Sequence, residues 1–484
     1  MSEYRTTIGL EIHAELKTQS KMFCGCKNDA DETRPNVNVC PICMGHPGTL
    51  PVINKEAVRK VLQVGAAVGA TLADFTEFDR KNYFYPDIPK DYQISQYKYP
   101  LVSGGALAGV SITRVHLEED TARSSHEKPG VSLVDFNRAG VPLMELVTEP
   151  VITSAEQAMM FGRELQLLLQ YLGASEANME KGEMRVEVNM SVSKDEKLGT
   201  KVEVKNINSF KAAGRAIEYE YKRQTGLLEK GEKVVQETRG FDENKGTTFS
   251  QRSKEDSHDY RYFPDPDLPK LKLSELSELS KEAISKNLTE TPAQKRARYA
   301  SEYALKADDI EVYVNQRELS SFFEAAAKNL KGKGSDDTQA VKILSNYITS
   351  DLAGLLKGKE GNVPEALKML TAESMSGLVL CIIQGDISSR GAKETLKIMF
   401  ERGGDPETIA KDNNFIQKSD PEEIKKVMEK IIDENKDKLE EYKSGKDNLL
   451  QFFIGQGMKA MQGAGNPEKI KEIFLDLVTK HKEN

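Results

Sequence analysis

The sequence predicts an α+β protein, in which a mainly antiparallel sheet with helices packed on it is followed by an all-helical half that ends in a small helical tail. Three observations predict this. From Met1 to about Pro292 the chain is built of short runs that alternate apolar and polar residues, punctuated by Gly and Pro and joined by long polar connections, as strands with one buried face require. After Glu290-Thr-Pro292 the composition turns to Ala, Leu, Lys and Glu at helical spacing and stays so to the end. Arg402-Gly-Gly-Asp-Pro406 interrupts that helical half. The expected divisions are therefore 1–292, 293–404 and 405–484, and a chain of 484 residues is too long for a single ordinary core.

The opening strand, Thr6 to Leu16, alternates cleanly. Ile8, Leu10, Ile12 and Ala14 point one way, and Glu11, His13 and Glu15 point the other. Lys55 to Gly69 has helical apolar spacing behind Asn54, an expected N-cap. Val110 to Val115 reads as a strand and runs into His116-Leu117-Glu118-Glu119-Asp120, with three consecutive acids. Ser154 to Leu172 opens with Ser-Ala-Glu-Gln, a capping-box pattern, and continues as an apolar stripe. Arg185-Val-Glu187-Val-Asn189-Met-Ser191 and Lys201-Val-Glu203-Val-Lys205 repeat the alternation, and Asn208 to about Gly226 reads as a third helix. Asp256 to Pro269 carries too many prolines for regular structure and too many aromatics for a slack linker, so an ordered loop is expected. Lys328 to Asp337 reads as a Gly/Lys/Asp-rich connection.

Lys and Arg number 68 against 76 Asp and Glu, so the net charge of -8 gives no general attraction to nucleic acid and any RNA contact must be local. No apolar run approaches the ~20 residues a bilayer span needs, and Met-Ser-Glu-Tyr-Arg has no signal-peptide pattern. A cytoplasmic protein with no membrane partner is expected. The chain lacks Gly-x-x-x-x-Gly-Lys-Ser/Thr, Gly-x-Gly-x-x-Gly after a strand, and Gly-x-Ser-x-Gly, so a bound nucleotide would be held without a P-loop.

Four candidate sites stand out. Cys24-Gly-Cys26, thirteen residues, then Cys40-Pro-Ile-Cys43 fits tetrahedral thiolate coordination of structural zinc, with disulfides or free thiols as the alternative. Cys381, alone in an apolar segment, reads as a core residue. Glu11, His13, Glu119, Glu187 and Glu203 offer hard ligands from several strands, as a Mg²⁺–nucleotide site needs. The alternative is a solvated sheet face salt-bridged to Arg185, Lys201 and Lys205. Gly140 and Pro142 would set a tight turn holding Asn137 and Arg138 at a strand end, for function or for structure alone. Asp79-Arg-Lys81-Asn82-Tyr83-Phe-Tyr-Pro86 combines bases and aromatics, which could stack on an RNA end or simply pack.

Taken together, Ile8-Gly-Leu-Glu-Ile-His-Ala-Glu-Leu-Lys-Thr, Pro47-Gly-Thr-Leu-Pro-Val-Ile-Asn54, Phe78-Asp-Arg-Lys-Asn-Tyr-Phe-Tyr-Pro-Asp87, Tyr92-Gln-Ile-Ser-Gln96, His116-Leu-Glu-Glu-Asp120, Asp135 to Pro150 and Asp259-Tyr-Arg-Tyr-Phe-Pro264 resemble the B subunits of the glutamyl/aspartyl-tRNA amidotransferases, over the whole chain. The resemblance implies a cradle domain like that of glutamine synthetase and the guanido kinases, then a helical domain and a YqeY-like tail. It implies ATP and Mg²⁺ as cofactors and phosphorylation of the side-chain carboxylate of Glu on tRNA(Gln) or Asp on tRNA(Asn). Amidation by ammonia would follow. Glu11, His13, Glu119 and Glu203 are the implied catalytic and Mg²⁺ residues, and Asn137, Arg138, Glu187 and Lys205 the nucleotide or substrate candidates. Lys81, Asn82 and Tyr83 are candidates for the ammonia path or the tRNA acceptor end. Lys459, within Gly455 to Pro467, would contact tRNA from the tail. Nothing in the sequence resembles a Ser-Ser-Lys amidase centre, so the implied partners are a GatA-type glutaminase subunit, a GatC-type subunit and the mischarged tRNA.

Overall fold

In a computed structural model the described residues are 4–128, 130–253, 260–332, 338–357, 363–417, 420–461 and 465–480. The chain forms two compact units, Met1–Pro292 and Ala293–Asn484. In the first, β1 (Arg5–Glu15), α1 (Lys55–Ala67), β2 (Val110–Glu119), β3 (Pro142–Thr148), α2 (Ala155–Tyr171), β4 (Met184–Ser193), β5 (Val202–Lys205), α3 (Phe210–Glu229), β6 (Glu237–Asp242) and β7 (Thr247–Ser253) follow in order. The strands assemble as β7-β6-β5-β4-β1-β3-β2, extended beyond β2 by the short strands Val102–Ser103 and Thr71–Leu72. Every pair in that order is antiparallel except β5 with β6.

The two-residue period decides what each face carries. Ile8, Leu10, Ile12 and Ala14 of β1, Met144 and Leu146 of β3, and Val186, Val188 and Met190 of β4 are all buried, in one apolar cluster with Phe161, Leu165 and Leu169 of α2 and Ala213 and Ile217 of α3. Burying each Ile or Leu contributes ~1.5–3 kcal/mol. A one-residue slip of β1 would drive Glu11 and His13 into that cluster, so the apolar face fixes the register of the polar one. Helices α2 and α3 approach closely because Gly162 leaves room for the Phe210 ring, which lies 2.6 Å from where a β-carbon would stand.

The expected helices form where the caps allow. Asn54 Oδ1 accepts from the backbone N–H of Glu56 and Ala57 at the start of α1. Ser154 Oγ accepts from Gln157 N, and Gln157 Oε1 accepts in return from Thr153 N. Ser209 caps α3, which runs three residues past the expected Gly226 to Glu229. Part of the segment expected as an ordered loop pairs as a strand, Phe263–Pro264 against Asp79–Arg80; its residues 256–259 lie outside the described residues.

The second unit is helical. One helix, Arg317–Gly332, continues through the start of the connection expected from Lys328, because Leu319, Phe323, Ala326, Ala327 and Leu330 are all buried at helical spacing; residues 333–337 lie outside the described residues. Beyond Gly403-Gly404, Asp405 caps the helix Pro406–Asp412, which packs on the preceding helices Ala372–Ile383 and Ser389–Arg402. A separate tail core then begins at Ile424 and runs to Val478.

Candidate active site

The face of the sheet opposite the helices is polar, and cross-strand register sets its geometry. His13 sits opposite Arg185 on β4 and Glu145 on β3, and Glu145 sits opposite His116 on β2. One row therefore reads Arg185, His13, Glu145, His116. In the next row Glu11 is opposite Glu187. His13 Nε2 lies 3.3 Å from Glu145 Oε2, 3.8 Å from Glu118 Oε1 and 4.0 Å from Glu11 Oε1. His116 Nε2 is 3.5 Å from Glu145 Oε2 and 3.6 Å from Glu118 Oε2, and Ser95 Oγ donates to Glu118 at 2.9 Å.

Crowded, partly buried carboxylates shift one another. Burial, then Glu145 and Glu187, push Glu11 up to about 7. Burial opposes a charge on His13, but the hydrogen bond to Glu145 and the charges of Glu145, Glu118 and Glu187 raise it to about 9. Burial likewise opposes ionisation of Glu145, yet His116 and His13 hold it well below the usual carboxylate range. Lys81 reaches this face: although burial disfavours its charge, Glu118, Tyr262 and Glu145 hold it up as an ammonium. Its Nζ stands 5.0 Å over the Tyr260 ring.

The structure brings Glu11, His13 and Glu187 together as expected residues, with Lys205 Nζ 2.8 Å from Glu187 and 3.6 Å from Glu203. Glu203 lies at the border of the cluster and accepts from Thr238 Oγ1 at 2.7 Å. Glu119 stands apart from this cluster. Arg114, His116 and Glu118 share one face of β2, so Glu119 turns to the other, where it is buried, pairs with Lys90 Nζ at 2.6 Å and accepts from Ile94 N at 2.9 Å. The residue on the polar face is Glu118. Asn137 and Arg138 also lie outside the cluster. Asn137 Oδ1 accepts from Asn38 N and its Nδ2 donates to Arg34 O, while Arg138 donates to the carbonyls of Thr121 and Ala122 and pairs with Asp120. Both staple loops. Asn82 donates to the carbonyls of Tyr260 and Arg261, and Tyr83 stacks beside Tyr85. Lys459 is exposed on the helix Leu449–Ala460.

Sequence reasoning missed Glu118, Glu145 and His116 as members of the cluster. The signals were present: His116 and Glu118 continue the two-residue period of β2, and Glu145 is a lone acid in the apolar run Leu143-Met-Glu-Leu-Val147.

Two overlapping groups, Glu11–His13–Glu187 and His13–Glu118–Glu145, each bring their ligand atoms within 4.8 Å of one another. Octahedral Mg²⁺ with ligands at ~2.0–2.1 Å spaces them about 3–4 Å apart, so this donor set fits a hard cation after small side-chain movements. The four cysteines form a second centre. Cys24, Cys26, Cys40 and Cys43 place their sulfurs within 4.8 Å of one another, with Cys40 and Cys43 at 3.9 Å, and all are free thiols. Tetrahedral zinc with Zn–S near ~2.3 Å sets sulfurs about 3.8 Å apart, so the knuckle fits zinc. A thiol hydrogen bond from Cys24, the Cys40 backbone and the nearby Lys21 hold Cys43 down at about 4. A cavity of about 230 Å³ separates the knuckle from Lys90 and Glu119.

The structure thus sets a mainly antiparallel sheet, covered by helices on one face, under a polar face of carboxylates and imidazoles whose donor set fits a hard cation. The GatB/GatE catalytic domain matches residues 6–277, and the GatB domain matches residues 321–478. The chain is 42% identical over 499 residues to the B subunit of the aspartyl/glutamyl-tRNA(Asn/Gln) amidotransferase of Crocosphaera subtropica, covering 99% of this chain and 98% of that one. It is 42% identical to the corresponding protein of Persephonella marina, covering 98% and 100%, and 42% identical to that of Coxiella burnetii, covering 98% and 99%. The chain belongs to the family of aspartyl/glutamyl-tRNA(Asn/Gln) amidotransferase B subunits.

Proposed function

We propose that this chain is the carboxylate-activating component of a glutamine-hydrolysing, carbon–nitrogen-bond-forming ligase used in translation. It transfers the γ-phosphoryl group of ATP to the side-chain carboxylate of Glu on tRNA(Gln) or Asp on tRNA(Asn). The bond between the γ-phosphorus and the bridging oxygen of ADP breaks as the bond to the carboxylate oxygen forms. Ammonia then attacks the acyl phosphate and inorganic phosphate leaves. The observation that carries this reading is His13, set between two carboxylate groups on the polar sheet face, with Lys81 near enough for Glu118 and Glu145 to hold its charge.

Phosphoryl transfer to a carboxylate brings two anions together, so the work is electrostatic. Glu11, Glu187, Glu118 and Glu145 with His13 would hold Mg²⁺, which screens the phosphate oxygens when bound. Lys81 neutralises charge on the transferring group, and its perch over Tyr260 sets its direction. His116 and Ser95 fix the Glu118 carboxylate, and Arg114 lies 3.5 Å from Glu145. Lys205 restrains Glu187 and Glu203. The finer likeness to a glutamine synthetase or guanido-kinase cradle is supported by the same division into an apolar helix-covered face and a polar ligand face.

Ammonia comes from a GatA-type glutaminase subunit, with a GatC-type subunit completing the complex, because no amidase centre is legible in this chain. Zinc in the cysteine knuckle is structural, since four protein thiolates leave no open position. The YqeY-like tail, with Lys459 exposed on one of its helices, binds tRNA. The protein acts in the cytoplasm; no described helix is long and apolar enough to cross a membrane.

The test is ADP formation by the complex of this chain with its glutaminase and small subunits, with and without mischarged tRNA. The reading requires ADP formation that depends on Glu-tRNA(Gln) or Asp-tRNA(Asn). ATP turnover indifferent to mischarged tRNA, or amidation without ATP, would overturn it.

A further inference from the structure

Lys21 is 1% exposed, one of the most completely buried side chains among the described residues. Its Nζ lies 3.8 Å from Cys43 Sγ and donates to the Phe136 carbonyl at 3.1 Å. Among the described residues no carboxylate lies within ion-pair distance of it. A buried ammonium costs several kcal/mol unless a negative charge answers it. One carbonyl does not answer it, and the group that faces the ammonium besides that carbonyl is the Cys43 sulfur of the cysteine knuckle. Four thiolates around one Zn²⁺ carry a net charge of about -2, concentrated on sulfurs that accept hydrogen bonds.

We infer that Lys21 is the outer-sphere counter-charge of the cysteine centre, donating N–H···S to Cys43 and answering half of the excess negative charge of a zinc tetrathiolate. This rests on the zinc reading of the knuckle. The surroundings are built for the contact. Lys21 N donates to Cys26 O, its neighbour Met22 donates to Gly140 O, and Asn54 Nδ2 donates to Lys21 O. Gly140 passes beside Cys43 and Lys21 with φ +84°, a conformation that side chains rarely adopt. The Phe136 carbonyl ties the centre to the turn that carries Asn137 and Arg138. Lys21 is thus a positioning residue for the metal centre, favouring its tetrathiolate form and making Cys43 a poorer nucleophile.

The test compares full-length wild type, Lys21→Met and Lys21→Gln for zinc affinity, by competition with a chromophoric chelator, and for melting temperature with and without zinc. Met keeps the stem and removes both charge and donor. Gln keeps an N–H donor without the charge and leaves little void, so it reads the charge even if the Met variant folds poorly. Both variants should bind zinc about 10–100-fold more weakly, the usual loss when an outer-shell partner of a metal ligand is removed. Cys43 in the zinc-loaded variants should also react faster with iodoacetamide. Wild-type zinc affinity in Lys21→Gln, or equal loss of melting temperature with and without zinc, would overturn the inference. A wild-type chain that takes up no zinc would instead remove the zinc reading on which it rests.

Discussion

His13 and Glu145 face each other across the β1–β3 pairing, with Nε2 of the imidazole 3.3 Å from Oε2 of the carboxylate. Because both His13 and His116 lean on Glu145, this carboxylate joins the two histidines. Glu145→Gln keeps its shape and removes its charge. ATP-dependent activation in the assembled complex should fall by about two orders of magnitude, as for loss of a transition-state charge contact. Glutamine hydrolysis by the glutaminase partner should fall less. Near-normal conversion of Glu-tRNA to Gln-tRNA at limiting Mg²⁺ would show that this face is not the catalytic one.

Adjacent residues on β2 should fail in different ways. Glu118→Gln should raise the Mg²⁺ concentration needed for activation with a smaller loss of stability, because His13 and His116, which it faces, keep Glu145 as a second carboxylate partner. Glu119→Gln leaves the largely buried Lys90 without its partner, which costs about 3–5 kcal/mol. Paired denaturant melts and Mg²⁺ titrations separate the two; matching profiles would contradict the alternation of β2.

Replacing Cys40 with Ser should release one zinc per chain and lower the melting temperature of the wild-type fold, since binding and folding of such a knuckle are coupled. Metal analysis of the purified protein decides it. The tail core should be unaffected.

Stability should also carry a signature of Glu15. Burial, then the neighbouring Asp120, push its folded value up to about 8, while the unfolded carboxyl stays near 4.5. Its contribution is therefore intact below about pH 4.5 and is lost as pH rises toward about 8, because the unfolded chain gives up a proton that the folded one keeps. Glu15→Gln holds the neutral form. Melting curves from about pH 5 to pH 8 should show wild type losing several degrees relative to this variant. A constant difference across that range would refute the shift.

Deleting residues 420–484 removes the separately packed core that begins at Ile424 and leaves the helix Pro406–Asp412 on its neighbours. The truncated chain should keep the cysteine knuckle and the carboxylate cluster intact but bind tRNA more weakly. Filter binding to the intact and truncated complexes measures this, and unchanged affinity would rule the tail out as a tRNA contact.

The sequence by itself determined the strands and their faces. Alternation in β1, β4 and β5 puts Glu11, His13, Glu187, Glu203 and Lys205 opposite the apolar residues. The side-chain period of a strand is local, and burial of Ile8, Leu10 and Ile12 enforces it. The caps at Asn54 and Ser154 are local in the same way, as is the cysteine spacing. Only the tertiary structure decided which strands lie side by side, and so which carboxylates meet. β3 enters between β1 and β2, more than a hundred residues from β1 in the chain, and this pairing carries Glu145 to His13. A register shift in β2 between Ile112 and Arg114, opposite Val147 and Thr148, put Arg114, His116 and Glu118 on the polar face rather than Glu119. Asn137 and Arg138 looked available in sequence, but their donors and acceptors were claimed by loops that only the folded chain brings near.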